Sequence, residues 1–464
     1  MFVNRDQELI ALENRYNSGE AEFVILYGRR RVGKTELLKR FCEEKKHIYV
    51  LADLSSEKDQ LEIFSRAVYD VTRESFLRTS PFSTWDAVFE YLGGLCKDER
   101  LIVVIDEFPY LVASNPALPS IIQRFWDEKW RNTKIFLILC GSYISVMERE
   151  TLGYKSPLYG RRTGQILLEP MDFQDASLFF PRYSITEKIV AYSIVGGTPA
   201  YLEQFSDRIS IWQNIRERIL RKDQFLYDEV RFILMEELKE PKNYFSILRA
   251  IAFGKTRLNE IVQESGLQRG MVANYLDVLQ NLRIVERRIP ITEEKPHKSR
   301  KGIYKLKDNF FRFYFRFIYP YKGYIEAGNT DLLLNDIIRP SMRQFLGPIF
   351  EDVCHELLIR LNREGRLPFR FDRIGFWWER NEEVDIVAYN QENRAFLFGE
   401  CKWRNKPVGI NILEDLKRKV EIIKKQIAVA DEYYVLLSKS GFTASLKNVA
   451  HEGKLILIDI RKIG

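Results

Sequence analysis

Short continuous apolar runs, rather than apolar residues at helical spacing, mark the first third of the chain. They cover residues 23–27, 101–105 and 135–140. Runs of this length are typical of strands buried on both faces of a parallel sheet. Helical patterns follow over residues 184–195 and 199–206. The pattern therefore predicts an α/β domain with a parallel sheet over residues 1–170 and a helical segment over residues 171–235.

The middle of the chain changes to short helical patterns followed by two strands. The helical patterns cover residues 244–253, 258–264 and 268–282, and the strand patterns cover residues 284–290 and 302–306. Glycines end the first two helical patterns. Short helices with a glycine turn, followed by a hairpin, have the element order of a winged helix-turn-helix. We predict that fold over residues 236–310.

The last third combines an amphipathic helix with a hairpin. The helix is expected over residues 349–358, and the hairpin has strands at residues 383–389 and 395–403. A second α/β domain is therefore expected over residues 346–464, after a helical linker over residues 311–345. At the start of this linker, residues 310–320 interleave arginines with aromatic residues. They could stack on nucleic-acid bases, but their density of phenylalanine favours a buried helix.

Composition narrows the class of protein. A length of 464 residues is too great for one core and suggests roughly three domains. The five cysteines form no C-x-x-C pair, which argues against a disulfide framework or a zinc cage. Charged residues in the first turns argue against a signal peptide, and the apolar runs are too short to span a bilayer. We expect a cytoplasmic protein without membrane segments. A net charge of +7 permits nucleic-acid binding without requiring it.

A glycine-rich loop between the first strand and the first following helix carries the strongest chemical signal. The pattern G-x-x-x-x-G-K-T is formed by Gly28, Arg29, Arg30, Arg31, Val32, Gly33, Lys34 and Thr35. Its backbone N–H groups can surround phosphate oxygens, and the helix N-terminus adds a positive dipole end. Lys34 is expected to reach the β- and γ-phosphates, and Thr35 to bind Mg²⁺ through its hydroxyl. The sequence predicts a site for ATP or GTP.

Two later strands end in polar residues suited to the same site. Asp106 and Glu107 follow the run 101–105, and Ser142 follows the run 135–140. In enzymes with this type of loop, the first acid holds Mg²⁺ and the second positions the attacking water. We therefore assign Asp106 to the metal and Glu107 to catalysis. Ser142 is a candidate sensor of the γ-phosphate.

These motifs together resemble the archaeal-type ATPases, a family of AAA+-like, signal-transducing P-loop ATPases. The resemblance also rests on residues 2–9, 158–164 and 196–199. It implies ATP rather than GTP, places Arg5 beside the adenine, and makes residues 171–235 a helical lid with Pro199 near the base. Arg161 and Arg162 lie in a glycine-flanked turn. Because arginine complements phosphate, one of them is expected to contact nucleotide in the same chain or in a neighbouring one.

The connecting loop of the predicted wing is basic. Its cations include Lys298, Arg300 and Lys301, which suit contact with DNA phosphates. The predicted third helix offers few base-reading residues, and winged helices also serve as protein-interaction modules. DNA binding is the favoured interpretation, and protein binding stays open.

The C-terminal hairpin brings together two acids and a lysine. Strand alternation places Glu400 and Lys402 on one face, with Asp385 on the preceding strand. Such a group suits a Mg²⁺-dependent phosphodiesterase. The arrangement resembles the PD-(D/E)xK nucleases. The resemblance implies Asp385, Glu400 and the Cys401 carbonyl as metal ligands, Lys402 as a catalytic residue, and Glu351 as an outer support.

The sequence thus predicts an ATP-binding and ATP-hydrolysing switch that couples nucleotide state to DNA binding, with metal-dependent DNA cleavage at its C-terminal domain. One alternative is an ATP-controlled DNA-binding or scaffold regulator in which the nuclease-like domain is inert. Another is a nucleotide-dependent protein-interaction switch. A homo-oligomer or a protein partner is compatible with each.

Overall fold

A computed structural model describes residues 3–238, 240–450 and 453–462. Phe2, at the start of the N-terminal stretch used above, lies outside the described residues. The chain forms two compact units: residues 1–170 with 198–200, and residues 171–197 with 201–464. The longer segment of the first unit ends at Pro170, which is also the predicted end of the first domain. The division of residues 171–464 into lid, winged helix, linker and nuclease-like domain stays a prediction.

The first unit alternates strands with helices. Its strands are β1 (Glu22–Tyr27), β2 (His47–Leu51), β3 (Leu101–Asp106), β4 (Ile135–Gly141) and β5 (Gly164–Leu167). Its helices are α1 (Asp6–Asn17), α2 (Lys34–Cys42), α3 (Glu57–Thr72), α4 (Phe76–Thr79), α5 (Trp85–Leu95), α6 (Phe108–Ser114), α7 (Leu118–Glu128) and α8 (Ile144–Met147).

All strand pairs in this unit are parallel, in the order β2-β3-β4-β1-β5. Every residue of β1, β3 and β4 is buried. Alternate residues of β1 face different cores: Phe23 and Ile25 pack in one, and Val24 and Leu26 in the other. Burial on both faces explains why these strands are continuously apolar. Because β4 lies between β1 and β3, its C-terminal tip is next to both the phosphate loop and the acids.

The second unit begins with helices and a small antiparallel sheet. The helices from residue 171 up to this sheet are α9 (Phe173–Ser177), α10 (Ile185–Val195), α11 (Pro199–Leu202), α12 (Ile211–Asn214), α13 (Glu229–Glu237), α14 (Pro241–Ala252), α15 (Leu258–Ser265) and α16 (Arg269–Asn281). The first two residues of α11 belong to the first unit. Strands β6 (Val285–Arg288) and β7 (Ile303–Leu306) pair antiparallel. Helices α14 to α16 followed by this hairpin have the element order predicted for a winged helix-turn-helix.

The aromatic-rich segment after β7 is buried. It forms α17 (Asn309–Phe313) and a π-helical turn at Tyr314–Ile318, and all its phenylalanines are at most 1% exposed. Buried rings cannot stack on bases, so the buried-helix interpretation is correct. Helices α18 (Lys322–Glu326) and α19 (Thr330–Leu332) follow.

The C-terminal region contains a long helix and a mixed sheet. Its elements are α20 (Arg339–Arg363), β8 (Arg373–Glu379), β9 (Glu382–Tyr389), β10 (Ala395–Lys402), α21 (Ile410–Lys424), β11 (Asp431–Ser438), α22 (Ala444–Ala450) and β12 (Leu455–Asp459). The strand order is β12-β11-β10-β9-β8. Strands β8, β9 and β10 pair antiparallel, whereas β10, β11 and β12 are parallel.

The predicted domain boundary between residues 345 and 346 falls inside α20, which begins at Arg339 rather than at residue 349 as expected. The buried residues Met342, Phe345, Ile349 and Val353 recur at three- and four-residue intervals, so one apolar face continues through the helix. Pro348 lies inside the helix without ending it. Within the described ranges, no helix has the length and apolarity that a membrane crossing requires.

Candidate functional site

The phosphate loop joins β1 to α2 and depends on two glycines. A Cβ atom on Gly28 would lie 2.3 Å from the carbonyl oxygen of Leu168, so a side chain does not fit there. Gly33 has a φ of 96°, which glycine adopts without steric cost. Because α2 begins at Lys34, the positive end of the helix faces the loop. This arrangement can hold the phosphates of a nucleotide.

Lys34 is folded into the loop. Its Nζ donates hydrogen bonds to the carbonyl oxygens of Gly28 at 2.8 Å and Arg29 at 2.9 Å. Burial lowers the pKa of Lys34, while the nearby acids Glu107 and Asp106 oppose that shift. The loop therefore presents a buried ammonium group whose burial cost an anionic phosphate would offset.

Thr35 and Asp106 come together as the sequence predicts. The Thr35 hydroxyl donates to Asp106 Oδ2 at 2.9 Å, and Asp106 is 1% exposed. A hydroxyl and a carboxylate are oxygen ligands of the kind that Mg²⁺ prefers.

Tyr49 on β2 is a site residue that the sequence reasoning missed. Its hydroxyl donates to the same Asp106 Oδ2 at 2.5 Å. Burial and the Asp106 charge raise the pKa of Tyr49, so it remains a hydrogen-bond donor. The available signal was weak: a tyrosine alternating with the buried residues Ile48 and Val50 on a short strand.

Glu107 is held by the tip of β4. The Ser142 hydroxyl donates to Glu107 Oε1 at 2.5 Å, and the Ser142 N–H donates to Oε2 at 3.2 Å. Glu107 has a φ of 55°, a left-handed conformation that costs on the order of 1 kcal/mol outside glycine. The strand order brings this pair next to the loop, where a carboxylate can position water. Ser142 thus contacts the expected base, and its role as a sensor of the γ-phosphate stays a prediction.

The arginines of the loop differ in their surroundings. Arg29 is buried, whereas Arg31 is exposed and has a φ of 68°. The Arg30 guanidinium donates to the hydroxyl groups of Tyr110 at 2.8 Å and Tyr143 at 3.1 Å. These two tyrosines hold Arg30 at the side of the loop nearest the tip of β4.

Arg5 and Pro199 also lie against the loop. Arg5 Nη2 donates to the carbonyl oxygens of Val32 at 3.1 Å and Glu169 at 2.8 Å. A Cβ atom built on Gly33 would lie 3.9 Å from Pro199 Cγ. The structure therefore brings both residues to the phosphate loop, and their expected role beside the base stays a prediction.

Arg161 and Arg162 lie at the other end of the sheet, so the expected contact within the same chain is wrong. They precede β5, which runs parallel to β1 with Val24 paired to Gly164 and Tyr27 paired to Leu167. The arginines are therefore at the N-terminal ends of these strands, about 15 Å from the loop at the C-terminal ends. Arg161 pairs with Asp127 at 2.8 Å. A contact to nucleotide in a neighbouring chain stays a prediction.

In the second unit, Asp385 lies in an irregularity of the β8–β9 pairing. Trp377 pairs with Val384 and Gly375 pairs with Val387, so Asp385 and Ile386 lie opposite the single residue Phe376. Bulges of this kind change the direction of a side chain and are common next to active sites. The Cys401 N–H donates to Asp385 Oδ2 at 2.8 Å.

Two lysines neutralise Glu400. Lys419 on α21 binds Oε1 at 2.7 Å, and Lys402 binds Oε2. Lys402 also lies 3.8 Å from Asp385. Burial opposes the shift, but Asp385 and Glu400 raise the pKa of Lys402 above its usual value. From the sequence, a metal was expected to compensate these charges. Lys419 could not be recognised as part of the group, because it lies on a helix that follows the hairpin and no strand pattern links it to Glu400.

Glu351 faces the same group from α20. Burial raises its pKa from 4.5 to about 7, with Lys305 opposing and Asp352 and Glu383 adding to the shift. Among the described residues, no three His, Cys, Asp or Glu side chains form a metal-binding group. A cation here would depend on Asp385, Glu400 and the Cys401 carbonyl, which are oxygen donors suited to Mg²⁺. That assignment stays a prediction.

Two family models match the chain. Residues 2–205 match a family described as an ATPase domain predominantly from Archaea. Residues 314–419 match a family described as archaeal and bacterial proteins of unknown function. The second match spans α20 and reaches Lys419, so it crosses the predicted linker boundary. The chain carries an ATPase domain.

An uncharacterized protein of Methanocaldococcus jannaschii is 40% identical over 441 residues, which are 95% of this chain and 96% of the relative. An uncharacterized ATP-binding protein of the same organism is 61% identical over 46 residues, 10% of this chain and 78% of the relative. Among solved structures, a Walker-type ATPase of Pyrococcus abyssi aligns with a TM-score of 0.47 and 20% identity, covering 68% of this chain and 96% of that one. The chain belongs to the archaeal-type ATPase family.

Proposed function

We propose that this protein is a Mg²⁺-dependent ATP switch whose nucleotide state controls how residues 236–464 engage DNA. In this account Lys34 binds the β- and γ-phosphates, while Thr35 and Asp106 hold Mg²⁺, which neutralises charge on the phosphates. Glu107 positions the attacking water, and Ser142 orients Glu107. ATP is preferred over GTP because the matched family domain is an ATPase domain.

The observation that carries the coupling is the position of Pro199. Residues 198–200 belong to the first unit, whereas the residues before and after them belong to the second. A Cβ atom on Gly33 would lie 3.9 Å from Pro199 Cγ. A phosphate loop that changes shape with nucleotide therefore acts directly on a segment whose two ends continue into the second unit. Hinges of this kind are element-terminal residues that absorb backbone rotation.

We further propose that Asp385, Glu400 and Lys402 form a metal-dependent phosphodiesterase site. Its support is that Asp385 lies at the irregularity of the β8–β9 pairing, where its Oδ2 is 3.8 Å from Lys402 Nζ. Asp385 and Glu400 would hold the cation, and Lys402 would stabilise charge on the scissile phosphate.

A regulator with an inert nuclease-like domain is the second candidate, and Glu400 favours it. Both carboxylate oxygens of Glu400 are bound by lysines. Metal binding would have to displace at least one ammonium group, which lowers metal affinity. In this alternative the lysines are a permanent structural replacement for the cation.

Nicking of supercoiled plasmid separates the two candidates. The full chain is incubated with Mg²⁺ or Mn²⁺, with and without ATP, beside the Lys402→Ala variant. Metal-dependent nicking that the variant lacks supports the phosphodiesterase. DNA binding without nicking, in every metal and nucleotide condition, supports the inert regulator.

A further inference from the structure

A cavity of about 660 Å³ opens between the predicted winged helix and the turn that joins β8 to β9. Its lining comes from the starts of α15 and α16, from the predicted wing, and from the β8–β9 turn. A cavity of this size is typical of ligand sites. All of these elements belong to the second unit.

The cavity is strongly cationic. Six basic residues line it: Arg257, Arg269, Arg287, Arg300, Lys301 and Arg380. The acids in the lining are Glu260 and Glu379, and both are engaged. Glu260 accepts hydrogen bonds from the N–H groups of Thr256 and Arg257 at 3.0 Å, and Glu379 accepts one from Gln426. The excess of positive charge suits several phosphate groups.

Hydrogen bonds fix the predicted wing to strand β8 at the edge of the C-terminal sheet, so the wall of the cavity that the wing forms is held in place. The Ile291 N–H donates to the Phe376 carbonyl at 2.9 Å. The Trp378 indole Nε1 donates to the Lys301 carbonyl at 3.1 Å. These bonds join the predicted wing to edge strand β8. Trp378 and Tyr304 line the cavity beside the cations, and aromatic residues among cations are typical of single-strand binding grooves.

The cavity also lies close to the proposed phosphodiesterase site along the β8–β9 hairpin. Trp378 pairs with Glu383 across the hairpin. Asp385 lies two residues beyond Glu383, about 7 Å further along β9. The cavity and Asp385 are therefore separated by only a short stretch of β9.

We infer that this cavity binds a single-stranded segment of DNA and delivers it to Asp385, an inference that rests on the proposed function. Arg269, Arg300 and Arg380 contact phosphates, and Trp378 provides a stacking surface. A volume of about 660 Å³ is too small for a duplex, so duplex DNA is expected to meet only the rim of the cavity. The site thus selects frayed ends, gaps or flaps rather than intact duplex.

The test compares two charge-matched variants of the full chain. The cavity variant is Arg269→Gln, Arg300→Gln and Arg380→Gln. The control variant is Arg182→Gln, Arg208→Gln and Arg363→Gln, at exposed positions that do not line the cavity. Affinity for a labelled oligothymidylate and for a duplex of equal length is measured by anisotropy from low to high salt. Equal ATP hydrolysis by both variants establishes that the first unit is intact.

The cavity variant is expected to lose about tenfold or more in single-strand affinity and about two units of salt slope. Its affinity for the duplex is expected to fall less. The control variant is expected to bind both DNAs with wild-type affinity. Equal single-strand affinity and slope in the cavity variant, or a larger loss for duplex, overturns the inference and leaves the proposed function standing. If wild type binds neither DNA, the proposed function itself fails. Trp378→Phe, which keeps an aromatic ring, is expected to bind a single strand more tightly than Trp378→Ala.

Discussion

The Ser142 hydroxyl donates a 2.5 Å hydrogen bond to Oε1 of Glu107, while the Ser142 N–H binds Oε2 of the same carboxylate at 3.2 Å. The two residues come from the tips of neighbouring strands β4 and β3. Both carboxylate oxygens are therefore restrained on the side of the sheet that bears the phosphate loop. The orientation of Glu107 therefore depends on Ser142, which follows strand β4 and is distant from Glu107 in the sequence.

Ser142→Ala removes one of these two bonds and leaves the backbone bond in place. We expect kcat for ATP hydrolysis to fall by about tenfold, because the base is less well oriented, while the Kd for ATP stays within about twofold. Glu107→Gln should lower kcat further, by about 10² or more, again with binding retained. Ser145→Ala, at an exposed position on α8, is the matched control. A rise in Kd without a fall in kcat would assign Ser142 to ground-state binding.

Lys34→Ala removes the buried ammonium group from the loop. Nucleotide affinity should be lost, since the ammonium group that would bind the β- and γ-phosphates is gone. Titration with a fluorescent ATP analogue checks this, beside Lys39→Ala, which changes an exposed lysine on the same helix. Wild-type rates of hydrolysis in Lys34→Ala would show that the site assignment is wrong.

Tyr49→Phe removes one of the two hydroxyl groups that bind Asp106 Oδ2. Groups that orient a metal ligand commonly change metal affinity by about 10–100-fold. We therefore expect the Mg²⁺ concentration that half-activates hydrolysis to rise about tenfold at saturating ATP. Tyr154→Phe, on a side chain that is 77% exposed, should leave the Mg²⁺ dependence unchanged. An identical Mg²⁺ dependence in Tyr49→Phe would make this tyrosine purely structural.

The sequence predicted most reliably what lies close together along the chain. The phosphate loop, the acids after β3 and the β9–β10 hairpin each combine a local pattern with a chemical motif, and all lie as expected. Tyr49 and Lys419 were missed because their importance arises from strand order and helix packing. Neither is visible in a window of neighbouring residues.

Two predictions failed because tertiary structure, rather than local sequence, decides them. The sequence predicted a helix that begins at residue 349, yet the apolar face of α20 continues from Phe345 to Ile349 and packing maintains the helix. Arg161 and Arg162 were read by residue type alone. Their distance from the loop follows from the parallel register of β5 on β1, which the sequence does not state.

The proposed metal site can be tested by calorimetry with Mn²⁺ in the absence of nucleotide. The full chain is needed, because a fragment starting at residue 346 would begin inside α20. Asp385→Ala with Glu400→Ala should remove one bound cation, whereas Lys402→Ala should keep the cation and lose any nicking. Lys419→Ala should bind Mn²⁺ more tightly than wild type, since a competing ammonium group is removed. Equal Mn²⁺ binding by wild type and the double variant would contradict the site.

Glu356 gives a pH dependence with a defined sign. It accepts hydrogen bonds from the Phe173 N–H at 2.8 Å and the Tyr192 hydroxyl at 3.4 Å, and burial raises its pKa from 4.5 to about 8. The folded protein therefore holds this proton more tightly than the unfolded chain. The contribution of Glu356 to stability is fully present below pH 4.5 and is lost as the pH rises to about 8.

Glu356→Gln keeps an acceptor and cannot ionise. Its free energy of unfolding, relative to wild type, should increase between pH 5 and 8 by on the order of 2–4 kcal/mol. Urea unfolding of the full chain over this range measures the difference. Glu392→Gln, at an exposed position, should give a curve parallel to wild type, and a parallel curve for Glu356→Gln would contradict the prediction.

If nucleotide state controls DNA engagement, the protein must bind DNA with different affinity in its ATP and ADP states. Glu107→Gln is expected to bind ATP without hydrolysing it, so its DNA affinity can be compared in saturating Mg²⁺-ATP and Mg²⁺-ADP by anisotropy. Coupling between two sites typically changes binding affinity by about 5–150-fold. We predict that DNA affinity differs by about tenfold or more between ATP and ADP. Wild type in ADP should match the variant in ADP. Equal DNA affinity in ATP and ADP would contradict the account.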